Sequence, residues 1–378
     1  MNKENKIKIG IDARFYGPKQ TGPGRYVQKL VQGLEENDKV NQYLIFLRKD
    51  NWNEYQPKNP NFKKILADYP WYGIKEQVLM PFKIHKEKLD LMHFPHFNVP
   101  LFCFCPFVIT IHDLILKRFP TRRASTLGPI RYWLKNLAYQ IVIFSAAKRA
   151  KRIISISEFT KNDILKYFKV KPEKMEMIYE GVSDFDIDNS KGIDKKVVLN
   201  KYGIKKPYIL YVGNSYPHKN LGRLILAFDK LRKEKKDLNL VLAGRKEYFY
   251  NRLEKEYTGF KNIIFTDFVL DKDLSVLYQN ASLYVFPSLC EGFGLPPLEA
   301  MLHNLPVVCS DSSCLPEVLG SAAIYFDPEN IDDMTDKLRQ VLNNEKLQQE
   351  LIQEGRKQIN KYSWNKMGKE TAEVYNSF

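Results

Sequence analysis

The chain is 378 residues long and lacks several familiar signals. No run of 18 or more uncharged apolar residues occurs, so no membrane-crossing helix is predicted. The opening residues, MNKENKIKIG, carry no apolar signal-peptide core and pass straight into a strand pattern. Cysteine is sparse: Cys103, Cys105, Cys290, Cys309 and Cys314 form no C-x-x-C pair, and there are six histidines without zinc-type spacing. That excludes a disulfide framework and a zinc module, and leads us to expect reduced thiols in the cytoplasm. Neither a G-x-G-x-x-G fingerprint nor a Walker loop is present. No RRM, KH or helix-turn-helix signature accompanies the basic residues, so no nucleic acid is expected as partner.

What is present is enough for two cores. Hydrophobic residues make up 44% of the chain, and its length exceeds what one ordinary domain holds. The net charge of +15 is unevenly placed. Through Val182 there are 32 Lys and Arg against 17 Asp and Glu, whereas from Ser183 onward the numbers are 27 and 27. The whole excess therefore lies in the first half, where an anionic membrane surface or an acidic substrate would meet it. Much of it, Lys117, Arg118, Arg122, Arg123, Arg131, Lys135, Lys148, Arg149, Lys151 and Arg152, falls in or beside residues 129–150. A solvated basic surface is the plainer reading, and peripheral contact with an anionic membrane on the cytoplasmic face is the sharper one.

Strand and helix patterns alternate. KIGIDA (8–13) reads as a buried first strand, followed by TGPGRY and a helix marked by Tyr26, Leu30, Val31 and Leu34. Further strands are predicted at 43–47, 91–94, 107–111, 152–156 and 174–179. Helices are predicted at 72–88 and 129–150. The second of these has Ile130, Trp133, Leu134, Leu137, Ala138, Ile141 and Val142 on an apolar stripe of the kind that ordinarily faces a core. SDFDIDNSKGIDKK is polar and aperiodic, as expected of a linker. The α/β alternation then restarts with strands at 208–212, 238–242, 263–265, 283–286, 307–309 and 323–326. These patterns give a domain at 1–182, a linker at 183–198, a second domain at 199–361 and a last helical segment at 362–378. Tandem doubly wound domains bind ligands at the carboxyl ends of their strands.

The most informative stretch is SLCEGFGLPPLEAM (288–301), a glycine turn between a strand and an apolar helix. Glu291 and Glu299 lie eight positions apart, one in the turn and one in the helix. A helix start offers free N–H groups and a positive dipole end, and carboxylates there accept hydrogen bonds from hydroxyls. The combination suits a polyhydroxylated ligand carrying phosphate, a nucleotide sugar. The plain alternative is an exposed acid and a helix-start acid. Asp271-Lys-Asp273 superficially matches a metal-binding D-x-D, but first-turn acids of the following helix explain it better.

EGFGLPPLE resembles the E-x7-E signature of retaining family 4 glycosyltransferases of the GT-B fold, with similarity over nearly the whole length. GNSYPHKN after the 208–212 strand resembles the family's donor-phosphate segment, TGPGRY its glycine loop, and His112-Asp113 its catalytic histidine segment. SWNKMGKETAEVY resembles the family's helix crossing back onto the first domain. HFPHFNVP with TIHDL is most similar to mannosyltransferase-type members. The resemblance implies two tandem Rossmann-like doubly wound domains facing a central cleft. It implies that Glu299 accepts the ribose hydroxyls, that Glu291 holds the donor sugar, and that Gly292, Phe293, Gly294 and Leu295 line the donor. Lys219 and Asn214 would meet the diphosphate, with Gly22 and Gly24 approaching it and His112 against the sugar. Asn214 stands where many members carry arginine, so Arg223 or Asn214 itself must make up for a missing charge. The implied reaction is metal-free, cofactor-free hexosyl transfer, GDP-mannose leading, to a glycan or lipid-linked acceptor. UDP-hexose-dependent glucosyl or galactosyl transfer, a GT-B epimerase or phosphorylase, and a non-catalytic basic sugar- or nucleic-acid-binding protein are the alternatives.

Overall fold

The computed structural model describes residues 6–17, 21–119, 128–182 and 192–378. They fall into two compact units. The first takes its residues from Met1–Leu114, Leu127–Gly181 and Ser363–Phe378, the second from Ile115–Thr126 and Val182–Tyr362.

The first unit is built on β1 (Lys8–Asp12), β2 (Gln42–Leu47), β3 (Phe62–Leu66), β4 (Leu91–Phe94), β5 (Phe107–Ile111), β6 (Arg152–Ser155) and β7 (Met175–Met177). These strands pair in parallel in the order β3-β2-β1-β4-β5-β6-β7. Central strands such as FVITI are buried at every position, as expected when helices cover both faces of a parallel sheet. The helices are α1 (Thr21–Asn37), α2 (Ile74–Glu87), α3 (Ile115–Arg118, in the second unit), α4 (Pro129–Arg149), α5 (Glu158–Phe168) and, in the second unit, α6 (Lys195–Lys201). Ser157 caps α5 by accepting from the Thr160 N–H at 3.1 Å.

The second unit repeats the plan with β8 (Tyr208–Val212), β9 (Asn239–Ala243), β10 (Ile263–Phe265), β11 (Leu283–Phe286), β12 (Val307–Ser310) and β13 (Ala323–Phe326), all parallel in the order β10-β9-β8-β11-β12-β13. Between and after them run α7 (Leu221–Glu234), α8 (Tyr248–Glu256), α9 (Asp271–Asn280), α10 (Leu295–Leu302), α11 (Leu315–Leu319), α12 (Ile331–Leu342) and α13 (Glu345–Ile359). The last helix, α14 (Trp364–Tyr375), belongs to the first unit and packs on α1 through Gly33 and Gly368.

In each sheet the strand order reverses once, between β1 and β4 and between β8 and β11. Ligands of doubly wound sheets bind at such switch points. The segments singled out in the sequence follow these strands: TGPGRY comes after β1, HFNVP after β4, GNSYPHKN after β8 and SLCEGFG after β11.

Four expectations differ from the structure. β3 escaped prediction because FKKIL puts two lysines in a short edge strand that needs no apolar face. TGPGRY is not a loop ahead of a helix, since α1 already begins at Thr21 and Gly22 and Gly24 lie in its first turn. Asp194 caps α6, so helix begins inside the stretch read as linker, of which 183–191 lie outside the described residues. On α4, the stripe of Ile130, Trp133, Leu134, Leu137 and Ile141 is exposed. The helix packs instead through Ile143, Ala146 and Ala147, and the two alanines let its C-terminal half approach the core. Of the basic residues near this helix, Arg122 and Arg123 lie outside the described residues. No helix among the described residues is long and apolar enough to cross a membrane.

Candidate active site

In the second unit the loop after β8 and the loop after β11 are stitched together. The Leu289 N–H donates to the His218 carbonyl at 2.8 Å. Asn220, in the left-handed region at φ 60° and 6% exposed, starts α7. Its side-chain amide donates to the carbonyls of Pro287 (3.1 Å) and Pro328 (2.7 Å), and its oxygen accepts from Arg223 at 3.0 Å. One buried side chain thus ties the start of α7 to the ends of β11 and β13. Sequence reasoning passed over it, although an Asn directly before an apolar helical run is a recognisable helix-start signal.

This stitching brings Lys219 onto Glu291. The Lys219 Nζ lies 2.6 Å from Glu291 Oε1 and 5.5 Å from the centre of the Phe286 ring, and both charged side chains are largely buried. Glu291 is held from the other side as well. Its N–H donates to Ser313 Oγ at 3.0 Å, and the Cys314 thiol donates to the carbonyls of Glu291 (3.3 Å) and Phe293 (3.2 Å). Burial, with Glu291 nearby, pushes the Cys314 thiol far above its usual range, so it stays a neutral donor. Ser313 and Cys314 come from the turn after β12 and carried no sequence signal.

The turn closes at Gly294, which starts α10 at φ 98°, where a side chain would be strained and would meet Leu315 Cδ2 at 2.8 Å. Pro296 sits in the first turn of α10, where its missing N–H costs nothing. Gly292 and Phe293 are buried beside Glu291, and Leu295 is half-buried. Glu299, half-buried on α10, accepts from the Tyr278 hydroxyl at 3.2 Å, and Tyr278 stacks on His303 at 5.2 Å. The structure therefore gathers Lys219, Glu291, Gly292, Phe293, Gly294, Leu295 and Glu299 around the ends of β8 and β11. Asn214 is exposed and accepts from the Tyr216 N–H within its own turn. Arg223 turns to Asn220 and, at 3.7 Å, to Glu329. Burial and the neighbouring Lys219 charge lower His218 to about 4, so it is neutral near pH 7. Asp273 is engaged by Lys201 Nζ (2.6 Å) and the Tyr202 hydroxyl (2.8 Å). Among the described residues no group of three or more His, Cys, Asp or Glu side chains could hold a metal ion.

In the first unit His112 follows β5. Its Nδ1 lies 3.3 Å from Glu180 Oε1 and its Nε2 3.0 Å from the Pro95 carbonyl, with the Tyr26 ring edge-on at 4.6 Å. Burial opposes a charge on the ring, but the Glu180 carboxylate outweighs it and raises the imidazole above its ordinary value. His93 is fully buried between the Tyr375 hydroxyl (2.5 Å) and Thr110 Oγ1 (2.9 Å), and burial lowers it to about 3. It is a packing residue that ties α14 to β4. Gly22 is exposed and Gly24 buried. Nearby, the Arg14 guanidinium bridges Asp12 (2.6 Å) and Glu76 (2.5 Å) in the core, an ion network invisible in the sequence.

The chain matches two adjoining family descriptions, Glycosyltransferase Family 4 over residues 21–184 and Glycosyl transferases group 1 over 194–358. It is 30% identical over 273 residues to the O-antigen chain mannosyltransferase B of Escherichia coli, covering 71% of this chain and 69% of that one. It is 32% identical over 229 residues to the O-antigen chain mannosyltransferase RfbU of Salmonella typhimurium, covering 58% and 60%. The sucrose-phosphate synthase of Thermosynechococcus elongatus superposes with a TM-score of 0.75 over 98% of this chain and 99% of that one, at 17% identity, a likeness of fold alone. With its paired Rossmann-like domains and the E-x7-E turn between β11 and α10, the chain belongs to the group 1, family 4 glycosyltransferases of the GT-B fold.

Proposed function

We propose that the protein transfers a mannosyl group from GDP-mannose to a hydroxyl of a glycan or lipid-linked acceptor, with retention at the anomeric carbon and without a metal. The observation that carries this reading is the Lys219–Glu291 contact of 2.6 Å, a cation and a carboxylate held together at the strand ends. The bond from C1 to the diphosphate oxygen breaks, and its electron pair leaves with the diphosphate, which Lys219 neutralises. The acceptor oxygen bonds to C1 on the same face, and its proton passes to the departing phosphate oxygen. Glu291 holds a sugar hydroxyl and faces the positive charge developing at C1, stabilisation by groups already in place. Glu299 takes the ribose hydroxyls, and Gly292, Phe293, Gly294 and Leu295 line the donor. Gly22 and Gly24 present the first turn of α1 to the diphosphate, and Asn214 adds a neutral contact. His112, with both nitrogens engaged inside its own unit, acts on the sugar side as a fixed hydrogen-bonded group rather than a proton carrier. The mannosyltransferase names of the two curated relatives favour mannose, and the engagement of Asp273 by Lys201 and Tyr202 favours a metal-free site.

A donor panel tests this. Incubation with GDP-mannose should release GDP faster than UDP-hexoses release UDP, and chelation should change nothing. Turnover of UDP donors alone overturns the choice of donor, and silence with every GDP and UDP donor, with and without acceptors, overturns the transfer reading. Glu299→Ala should raise the donor KM roughly tenfold or more, the loss of a charge-assisted hydrogen bond. Glu291→Gln should lower kcat about a hundredfold. Glutamine is the cleaner replacement because its amide oxygen can still accept from Lys219, whereas alanine would leave that buried ammonium without an acceptor. If both variants keep full activity, the turn is merely structural.

A further inference from the structure

The proposed donor residues gather at the carboxyl ends of the second sheet. The opposite edge of that sheet holds a cavity of about 800 Å³ that the transfer chemistry does not use, a size within the range of small-molecule sites. Pro207, Leu238, Ser282 and Pro306 line it, each directly ahead of a strand. Helices of a parallel sheet run back to this edge, so the C-terminal ends of α7, α9, α10 and α12 meet here. Such ends present carbonyls without intrahelical partners and a partial negative charge. They favour a ligand that donates hydrogen bonds and disfavour an anion. The charged side chains balance, Glu234 and Asp237 against Lys235 and Lys236. The amides of Gln279, Asn304 and Gln348 both donate and accept, and Leu305, Leu342 and Ile352 add apolar wall.

His303 is the wall residue that points to a ligand. It is 8% exposed, and its Nδ1 is buried without a hydrogen-bond partner among the described residues. Native structures leave few buried polar atoms unpaired, because each is destabilising. Burial lowers the His303 pKa to about 4, so near pH 7 the ring is neutral, with one nitrogen that donates and one that accepts. The same residue connects the cavity to the donor site. Its ring stacks on Tyr278, also in the wall, with centres 5.2 Å apart and planes 18° apart. The Tyr278 hydroxyl donates to Glu299 at 3.2 Å. The His303 N–H bonds to the carbonyls of Glu299 (3.3 Å) and Ala300 (3.1 Å), at the end of the helix that carries Glu299.

We propose that this cavity is a second ligand site, for an uncharged sugar, and that a sugar bound there steadies Glu299 through His303 and Tyr278. A hydroxyl at the wall, met by a small turn of the imidazole, gives His303 Nδ1 the partner it lacks. That fixes the ring against Tyr278 and holds the phenol on Glu299, so the carboxylate is oriented before the nucleotide arrives. Linkage makes the effect mutual: bound sugar tightens nucleotide binding, and bound nucleotide tightens sugar binding by the same factor. The link rests on the assignment of Glu299 to the ribose, whereas sugar binding in the cavity does not.

Titration of the full chain with methyl α-mannoside, without nucleotide, tests the site. The readout is the His303 ring-proton shifts, assigned by their loss in His303→Gln. They should move and saturate with the mannoside and stay put with inorganic phosphate. Ile352→Trp fills the cavity from α13 and should abolish the response, with circular dichroism and GDP affinity matching wild type. Gln348→Leu, a milder change in the same wall, should weaken mannoside binding about tenfold. Calorimetry reads the link: saturating mannoside should raise GDP affinity about fivefold in wild type and leave it unchanged in Ile352→Trp and Glu299→Ala. No response of His303, an equal response to phosphate, or a response that survives both wall variants would overturn the site. Saturable mannoside binding with unchanged GDP affinity would overturn the link. Absence of GDP binding with and without mannoside would overturn the reading of Glu299, and the mannoside titration would still decide the cavity.

Discussion

His112 shows what a residue's partners decide. A backbone carbonyl and a carboxylate can only accept, so the partners of His112 favour the protonated ring, which donates from Nδ1 to Glu180 and from Nε2 to Pro95. Burial alone would lower its pKa, and the hydrogen bond and charge of Glu180 reverse that. Replacing Glu180 with Gln keeps the acceptor and removes the charge, so the His112 pKa should fall, as read from its ring-proton shifts across pH. The sign follows from linkage. A folded-state pKa raised above 6.5 supplies stability below 6.5 that disappears as pH rises through the folded value. The variant should therefore lose stability at pH 6 and little above the wild-type titration. An unchanged His112 titration would rule out Glu180 as the cause. The position of His112 after a buried strand made it visible in the sequence. Its partner, 68 residues away, was not visible, and neither was the Lys219–Glu291 contact across 72 residues, because sequence patterns report local periodicity and not the meeting of strand ends.

At the scale of elements, periodicity was a good guide wherever strands are buried on both faces, as with FVITI and LYVF, whose spans came out as read. It failed at the edge strand β3 and on α4, where an apolar stripe proved to face outward, since a stripe signals an apolar partner without saying whether that partner is the core. The α1–α14 packing tests another conflict of signals. A glycine in mid-helix costs about 1 kcal/mol against alanine, so propensity alone says that Gly368→Ala stabilises. A Cβ on Gly368, however, would lie 2.5 Å from the Gly33 carbonyl carbon and 2.6 Å from its Cα, backbone atoms that cannot turn aside. Overpacking of this kind costs about 1–3 kcal/mol, so the variant should be destabilised on balance. Urea unfolding followed by tryptophan fluorescence reads it cleanly, because Trp52, Trp71, Trp133 and Trp364 all belong to the first unit. A higher midpoint than wild type would show that α14 rides on α1 loosely.

Across the whole molecule the two units share a topology and differ in charge, with the entire +15 excess in the sequence up to Val182. A strongly cationic unit should already be sensitive to acid, since each carboxylate protonated adds to its self-repulsion, and its buried histidine sharpens the effect. His93 has a folded pKa of about 3, because burial, and then the nearby His112 charge, disfavour its imidazolium form. An unfolded chain binds that proton below about 6.5 while the folded unit does not until about 3, so stability falls as pH drops through that window. The contribution is about 1.4 kcal/mol per pH unit. His93→Gln retains an amide to bridge Tyr375 and Thr110 but has nothing to titrate. It should cost stability at neutral pH, yet its stability should decline less steeply than wild type between pH 6 and pH 4 by about that slope. Urea midpoints from tryptophan emission at several pH values measure this in the first unit alone. Parallel pH profiles for the two proteins would mean that His93 accepts its proton without unfolding, and that the Tyr375–His93–Thr110 chain is not what holds α14 to the sheet in acid.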